Sequence, residues 1–226
     1  MKLDQGSNKN ACIVGVGRSI ISRDSGKTAL DLVTDACVNA IQHAGLTRNE
    51  IDGVATNMMS GVIGYQINEA MQFPTVNWYG QMEMPQVTAA WSTLEAAMAV
   101  EYGACNYCVV VMGLMKPKGA GSSGSRRDPF AGSVGPPPVG GDAQFVAPYG
   151  GSGFSFNHFM SRYMHVYNAP RETFGHIAIT ARKHAMMNER AIARTPLTME
   201  DYLNARWISE PFCLYDCDYP VDGYAA

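Results

Sequence analysis

An α/β architecture with a sheet covered on both faces is the fold class this sequence predicts. Three observations carry that reading. The stretch "YCVVVMG" (107–113) is an unbroken apolar run of strand length, the pattern of a strand buried on both sides. Strand-like runs alternate with segments of helical period, as in repeating β–α–β units. Apolar residues make up 46% and charged residues 16% of the 226, which suits a large buried core and excludes wholesale disorder.

The elements follow in order. "ACIVGVG" (11–17) reads as a short buried strand closed by glycines. "TALDLVTDACVNAIQHAGL" (28–46) is a helix with one stripe of Leu30, Val33, Ala36, Cys37, Ala40, Ile41 and Ala44. Thr28 and Asp31 form a capping pair at its start, and Gly45 is a stop signal. "IDGVATNMM" (51–59) and "TVNWYGQM" (75–82) are the next strands. "MPQVTAAWSTLEAAMAVEYG" (84–103) is a helix with Pro85 in its first turn and Val87, Ala90, Trp91, Leu94 and Met98 at helical spacing. After Gly113 the character changes: residues 116–153 are rich in Gly, Ser and Pro, a long surface excursion. Helical patterns return at 156–168, at 171–188 behind Pro170, and at 198–207 with Thr198 as cap. The last residues look like the beginning of another strand. These boundaries give a β–α–β domain over 10–113, a loop domain over 114–210 and a return to the first sheet over 211–226.

Net charge is −3 with a pI near 5.9, so there is no basic field for nucleic acid and no polybasic membrane patch. No apolar run reaches spanning length, and the opening "MKLDQGSNKN" lacks the apolar centre of a signal peptide. A cytoplasmic protein is the expectation, with its six cysteines reduced. Cys105-x-x-Cys108 and Cys213-x-x-x-Cys217 could together hold zinc. Cys108, however, opens an apolar run and reads as a packing residue, so no metal is expected.

Other motifs are weak. Gly15-x-Gly17 lacks the third glycine and the following helix of a dinucleotide fingerprint. Arg126 and Arg127 suit either a phosphate or plain solvation. The histidines at 43, 158, 165, 176 and 184 show no metal spacing, and Glu83 and Glu95 do not form a carboxylate pair. Arg182 and Lys183, beside His184, make a basic turn able to meet the phosphates of a carrier.

Taken together, "ACIVGVGRS", "LDLVTDACVNAIQHAGLTRNEIDGV", "RYMHVYNAPRETFGHIAITARKHAMMN" and "RWISEPFCLYDCDYPVDGYAA" resemble the thiolase superfamily. The resemblance is to the branch around the thiolase half of sterol carrier protein X, which includes lipid-transfer-protein-type thiolases and steroid side-chain aldolases. It implies a thiolase-like fold, with a mixed five-stranded sheet carrying helices on both faces and a helical loop domain. Two such repeats pack as five layers, normally in a dimer through the thiolase-like sheet. It also implies acyl-CoA thioesters as substrates, with no tightly bound cofactor. In true thiolases a cysteine at a helix N-terminus is acylated, and laid against that pattern the position falls on Val87. Valine has no lone pair, so acyl-enzyme chemistry cannot occur there. Thr88 and Ser92 are nearby hydroxyls without an evident base. The family's histidine, second cysteine and aldolase tyrosines belong to a C-terminal repeat that this sequence does not reach.

What the resemblance implies is thus a thiolase-like acyl-CoA protein without the thiol. The leading expectation is a retro-aldol carbon–carbon lyase acting on a steroid or lipid side-chain β-hydroxyacyl-CoA. The rivals are a non-catalytic acyl-CoA-binding scaffold working with an OB-fold and zinc-ribbon partner, or a thiolase if the register is wrong. Val87, Phe154, Ser155 and Phe156 are the expected lining of the acyl channel, and Arg182 and Lys183 the contacts to the CoA phosphates.

Overall fold

The computed structural model describes residues 10–57, 61–82, 88–115, 151–219 and 221–226. It divides into two compact units, one of residues 1–116 with 221–226 and one of 117–220.

In the first unit, α1 (Ala29–His43) starts at Thr28, whose hydroxyl accepts from the Asp31 amide while the Asp31 carboxylate accepts from the Thr28 amide. That reciprocal pair satisfies two amides that a helix start leaves orphaned. The buried face of α1, Leu32, Val33, Ala36, Cys37, Ala40 and Ile41, packs on a parallel sheet of three strands, β1 (Gly53–Asn57), β2 (Trp78–Met82) and β3 (Cys108–Val110). Their order is β2-β1-β3, with Gly53 opposite both Trp78 and Cys108. A helix that sequence patterning missed, α2 (Gly64–Met71), adds Ile67 and Met71 to the same core. It is short and is followed at once by left-handed Gln72, so it offers too few turns to show a period. The central strand β1 is buried at all five positions. Val54 joins the α1 and α2 core, while α3, described over Thr88–Glu101, packs across β1, β2 and β3.

Three expectations are corrected here. The run 107–113 is not one strand. β3 pairs with β1, and after Val111 the chain enters β4 (Met112–Leu114), which runs antiparallel to β7 (Gly223–Ala225). The stretch 11–17 is not a buried strand. Ile13 is 76% exposed and Val14 and Val16 are more than half exposed. Pairing begins only at Gly17, whose amide donates to the Ala226 carbonyl at 2.7 Å, and continues to Ser22 through single bridges at Arg18 and Ser22. Thus β2, β1, β3–β4, β7 and the 17–22 segment occupy five successive strand positions, parallel and antiparallel. Finally, the apolar stripe of α3 is not its sheet-facing side. Trp91, Leu94 and Met98 are nearly half exposed, and Ser92, Ala96 and Ala99 are buried instead. Small residues let the helix axis approach the pleat closely, and a Trp on that side would hold it off.

In the second unit, α4 (Gly151–Tyr167) and α5 (Arg171–Met186) are followed by α6 (Met199–Leu203), β5 (Trp207–Ser209) and β6 (Phe212–Cys213). The helix expected over 198–207 ends at Leu203, and Trp207 opens β5. The capping box of Thr198 with Asp201 starts α6 as expected. Arg171 then stops the chain from continuing: its guanidinium donates to the Leu203 carbonyl at 3.1 Å and lies 4.1 Å over the Trp207 ring. Tyr202 is fully buried and donates to Asp216 at 2.6 Å, while Asp216 accepts the Cys213 amide at 2.8 Å.

Two tests follow from the first unit. A β-carbon on Gly17 would lie 2.1 Å from the Ala40 nitrogen and 2.2 Å from the Ala36 oxygen, both backbone atoms of α1. Gly17→Ala is expected to lower unfolding free energy by about 1–3 kcal/mol through overpacking, read from denaturant midpoints. The Asp52 carboxylate accepts from the amides of Asn106 and Tyr107, each at 2.8 Å, and from the Asn106 side chain at 2.9 Å. Burial pushes its carboxyl up, but the Tyr107 and Asn106 amides and the Asn106 and Asn77 side chains outweigh burial and hold it below the usual range. A depressed carboxyl stabilises the fold above its unfolded pKa, and that stability is lost as pH falls through the folded value. Asp52→Asn should therefore lower stability at pH 7, by about 1 kcal/mol because solvent screens this partly exposed carboxylate. It should also flatten the decline of stability below about pH 4, as followed by thermal melts across pH.

Candidate functional site

β1 and β2 are parallel and in register to their last residues, Asn57 opposite Met82. The carboxyl ends of parallel strands, where chain reverses into helices, are where open α/β sheets place ligands. At this end β1 presents Thr56 and Asn57, both fully buried. α3 packs on β1 and β2 and enters the described chain at Thr88, directly after the segment that follows β2. A helix start carries unsatisfied amides and the positive end of the helix dipole, a preorganised environment for developing negative charge. One turn inside, Ser92 is fully buried and its hydroxyl donates to the Thr56 carbonyl at 3.4 Å. Glu95, a further turn on, has a carboxylate oxygen shielded from solvent with no hydrogen bond among the described residues. Residues 58–60 and 83–87 are not among the described residues. Val87 therefore lies outside the described residues.

No cysteine stands in this part of the sequence. The cysteines stand at 12, 37, 105, 108, 213 and 217, so the whole interval 38–104 has none. That interval contains β1, β2 and all of α3. No shift of register along α3 can therefore bring a thiol to its start. Cys37 is locked in the α1 core, where burial pushes its thiol up to about 12. Cys105 and Cys108 lie beyond the other end of α3, whose 14 residues span about 21 Å. Ser92 does not substitute: its hydroxyl is committed to a backbone carbonyl and no base stands beside it among the hydrogen bonds it makes. What remains is a set of dipoles and amide groups, suited to hold an anion rather than to attack a carbonyl.

The other sequence-derived residues belong to the second unit. Phe154, Ser155 and Phe156 lie in the first two turns of α4, and their side chains are outside what the structure describes. Arg182 and Lys183 are on α5. The Arg182 guanidinium donates to the Thr195 carbonyl at 2.7 Å and sits 5.8 Å over the Tyr215 ring. Lys183 is exposed. Among the described residues no three His, Cys, Asp or Glu gather in a metal-holding group, and no helix is long and apolar enough to cross a membrane.

No family model matches the chain. Among curated proteins it is 31% identical over 223 residues to a steroid side-chain-cleaving aldolase of Thermomonospora curvata, covering 94% of the chain and 54% of that protein. It is likewise 31% identical over 221 residues to a 17-hydroxy-3-oxo-4-pregnene-20-carboxyl-CoA lyase of Mycobacterium tuberculosis, covering 96% of the chain and 56% of the relative. The chain thus spans about half the length of the curated relatives it matches. Among solved structures it is similar to the Ltp2-ChsH2(DUF35) aldolase, at 28% identity and a TM-score of 0.78 over 96% of the chain and 54% of that one. It superposes on an acetyl-CoA acetyltransferase of Syntrophomonas wolfei at 14% identity with a TM-score of 0.59 over 94% of the chain and 62% of that one, a likeness of fold. Over nearly its whole length the chain is thus similar to thiolase-superfamily proteins of the lipid-transfer type.

Proposed function

We propose that, within its complete protein, this chain forms the acyl-CoA-binding part of a retro-aldol carbon–carbon lyase that works without an acyl-enzyme. The observation that carries the proposal is a thiolase-type sheet and helix with no cysteine anywhere from 38 to 104. Similarity to two proteins named for aldol-type cleavage supports the same reading.

The chemistry needs no nucleophile. In a thioester such as the one the Mycobacterium tuberculosis relative is named for, the hydroxyl is on C17 and the carboxyl-CoA on C20, so the hydroxyl is β to the thioester carbonyl. A base removes the hydroxyl proton. The oxygen lone pair becomes a ketone at C17 as the C17–C20 bond breaks, and its electron pair passes into a thioester enolate that is then protonated at C20. The enolate oxygen is where backbone amides at the start of α3 would act, because preorganised donors stabilise charge that develops only during the reaction. In this reading Val87 shapes an apolar wall at that point. Phe154, Ser155 and Phe156 line the acyl channel, and Lys183 with the remaining donors of Arg182 meets the CoA phosphates. No tightly bound cofactor is required.

A partner belongs to the proposal. The similar aldolase structure is named as Ltp2 with ChsH2(DUF35), which supports a second component here. An OB-fold and zinc-ribbon protein is the kind we infer, alongside a homodimer through the thiolase-like sheet in the cytoplasm. If the chain is instead a non-catalytic scaffold, it will bind the thioester without turnover.

Full-length protein, alone and with its partner, should convert 17-hydroxy-3-oxo-4-pregnene-20-carboxyl-CoA to a 17-ketone and a three-carbon acyl-CoA, measured by chromatography. Intact-mass spectrometry of the same mixture should show no acyl adduct. Thioester binding without products selects the scaffold, and a covalent adduct selects a thiolase. Ser92→Ala should leave turnover intact and cost about 1 kcal/mol of stability, because among the described residues its hydroxyl serves only the Thr56 carbonyl.

A further inference from the structure

The α3–β3 connection holds two cysteines that the lyase reading does not use. Cys105 is 3% exposed and Cys108 half-buried. Three features bring them together. First, the Asp52 carboxylate accepts the amides of both intervening residues, Asn106 and Tyr107, which curls the four-residue stretch around one anion. Second, Gly53 leaves room beneath them: a β-carbon there would lie 2.8 Å from the Cys105 sulfur, 3.1 Å from the Cys108 β-carbon and 3.2 Å from the Cys105 β-carbon. Both side chains therefore converge over one point, and any residue but glycine would push them apart. Third, the two thiols act on one another: Cys108 holds Cys105 below the usual thiol range, against burial and the Asp52 charge, while Cys108, whose thiol donates to the Val109 carbonyl at 3.7 Å, is raised by Cys105 and by burial. Packing alone does not call for an acidic clamp, a glycine and two converging thiols at one turn.

We propose that Cys105 and Cys108 form a reversible redox modification site, closing to an intramolecular disulfide in exchange with a small-molecule disulfide. The Cys105 thiolate attacks one sulfur of the oxidant, whose other sulfur leaves as thiolate. The Cys108 thiol then gives its proton to that thiolate and attacks the Cys105 sulfur, displacing the second thiol. The pair loses two electrons and two protons, and one disulfide becomes two thiols. Ala104, Asn106 and Tyr107 are exposed, so the pair is one residue below solvent, within reach of a small reagent. The bridge would tie the exit of α3 to the first residue of β3. This site is independent of the proposed lyase chemistry.

The test equilibrates full-length protein with graded ratios of oxidised to reduced dithiothreitol, alkylates free thiols and digests with trypsin. Both cysteines fall on the single peptide 49–118, and the other four lie on different peptides. The bridged peptide is therefore lighter by two hydrogens and carries no alkyl groups. The same titration in guanidinium provides the unfolded reference. The folded protein should bridge at a ratio about tenfold lower than the unfolded chain, and excess thiol should reopen it. A folded ratio equal to or above the unfolded one overturns the proposal, as does a peptide joined to another cysteine or to the reagent in place of the internal bridge.

Discussion

The five residues of β1, Gly53, Val54, Ala55, Thr56 and Asn57, are all buried, so no backbone group of this strand can rely on water for a partner. Each amide and carbonyl needs one from β2 or β3, which fixes the strand order before any side chain is considered. Burial on two faces also restricts side-chain size. The positions toward α3 must be small for the helix to approach, and α3 answers with Ser92, Ala96 and Ala99. The position toward α1 carries Val54, in the cluster of Leu32, Val33, Ile67 and Val109. At one end of the strand the Asp52 carboxylate binds the turn that leads into β3, and at the other Thr56 and Asn57 stand where α3 begins. The candidate site and the dithiol are thus the two ends of one buried strand.

α3 is the element whose composition reads least like a surface helix. Its apolar residues surround the axis, with Trp91, Leu94 and Met98 on the side away from Ser92, Ala96 and Ala99. A helix of this kind is suited to lie between layers, and the described residues set the sheet of β1, β2 and β3 against one side of it. The absence of cysteine over 38–104 leaves the start of α3 without a thiol in any register.

The second unit is held by a different device. Arg171 spans the end of α6 and the start of β5 by two carbonyls and two aromatic rings. The Tyr202 hydroxyl donates a hydrogen bond to Asp216, and burial followed by that acidic neighbour keeps the phenol protonated well above its ordinary range. These are polar ties inside a small helical unit whose aromatic residues Phe159, Tyr163 and Tyr167 remain largely exposed. They explain why the chain turns sharply after Leu203, where sequence periodicity alone continues the helix to Trp207.

The sequence by itself determined the α/β class, the capped helices at Thr28 and Thr198, the strands around 53–57 and 78–82, and the lack of a cysteine from 38 to 104. Each of these is local: a capping pair, an apolar run and a missing residue type are legible without knowing what lies across from them. The tertiary structure alone decided which side of α3 meets the sheet, that 107–113 serves two neighbours in opposite directions, and that Ile13 and Val14 face outward. It also decided that Cys105, Cys108, Gly53 and Asp52 share one turn. Such features depend on partners distant in sequence, and a pattern of 2 or 3.6 residues records only that a side is apolar, not which surface it finds.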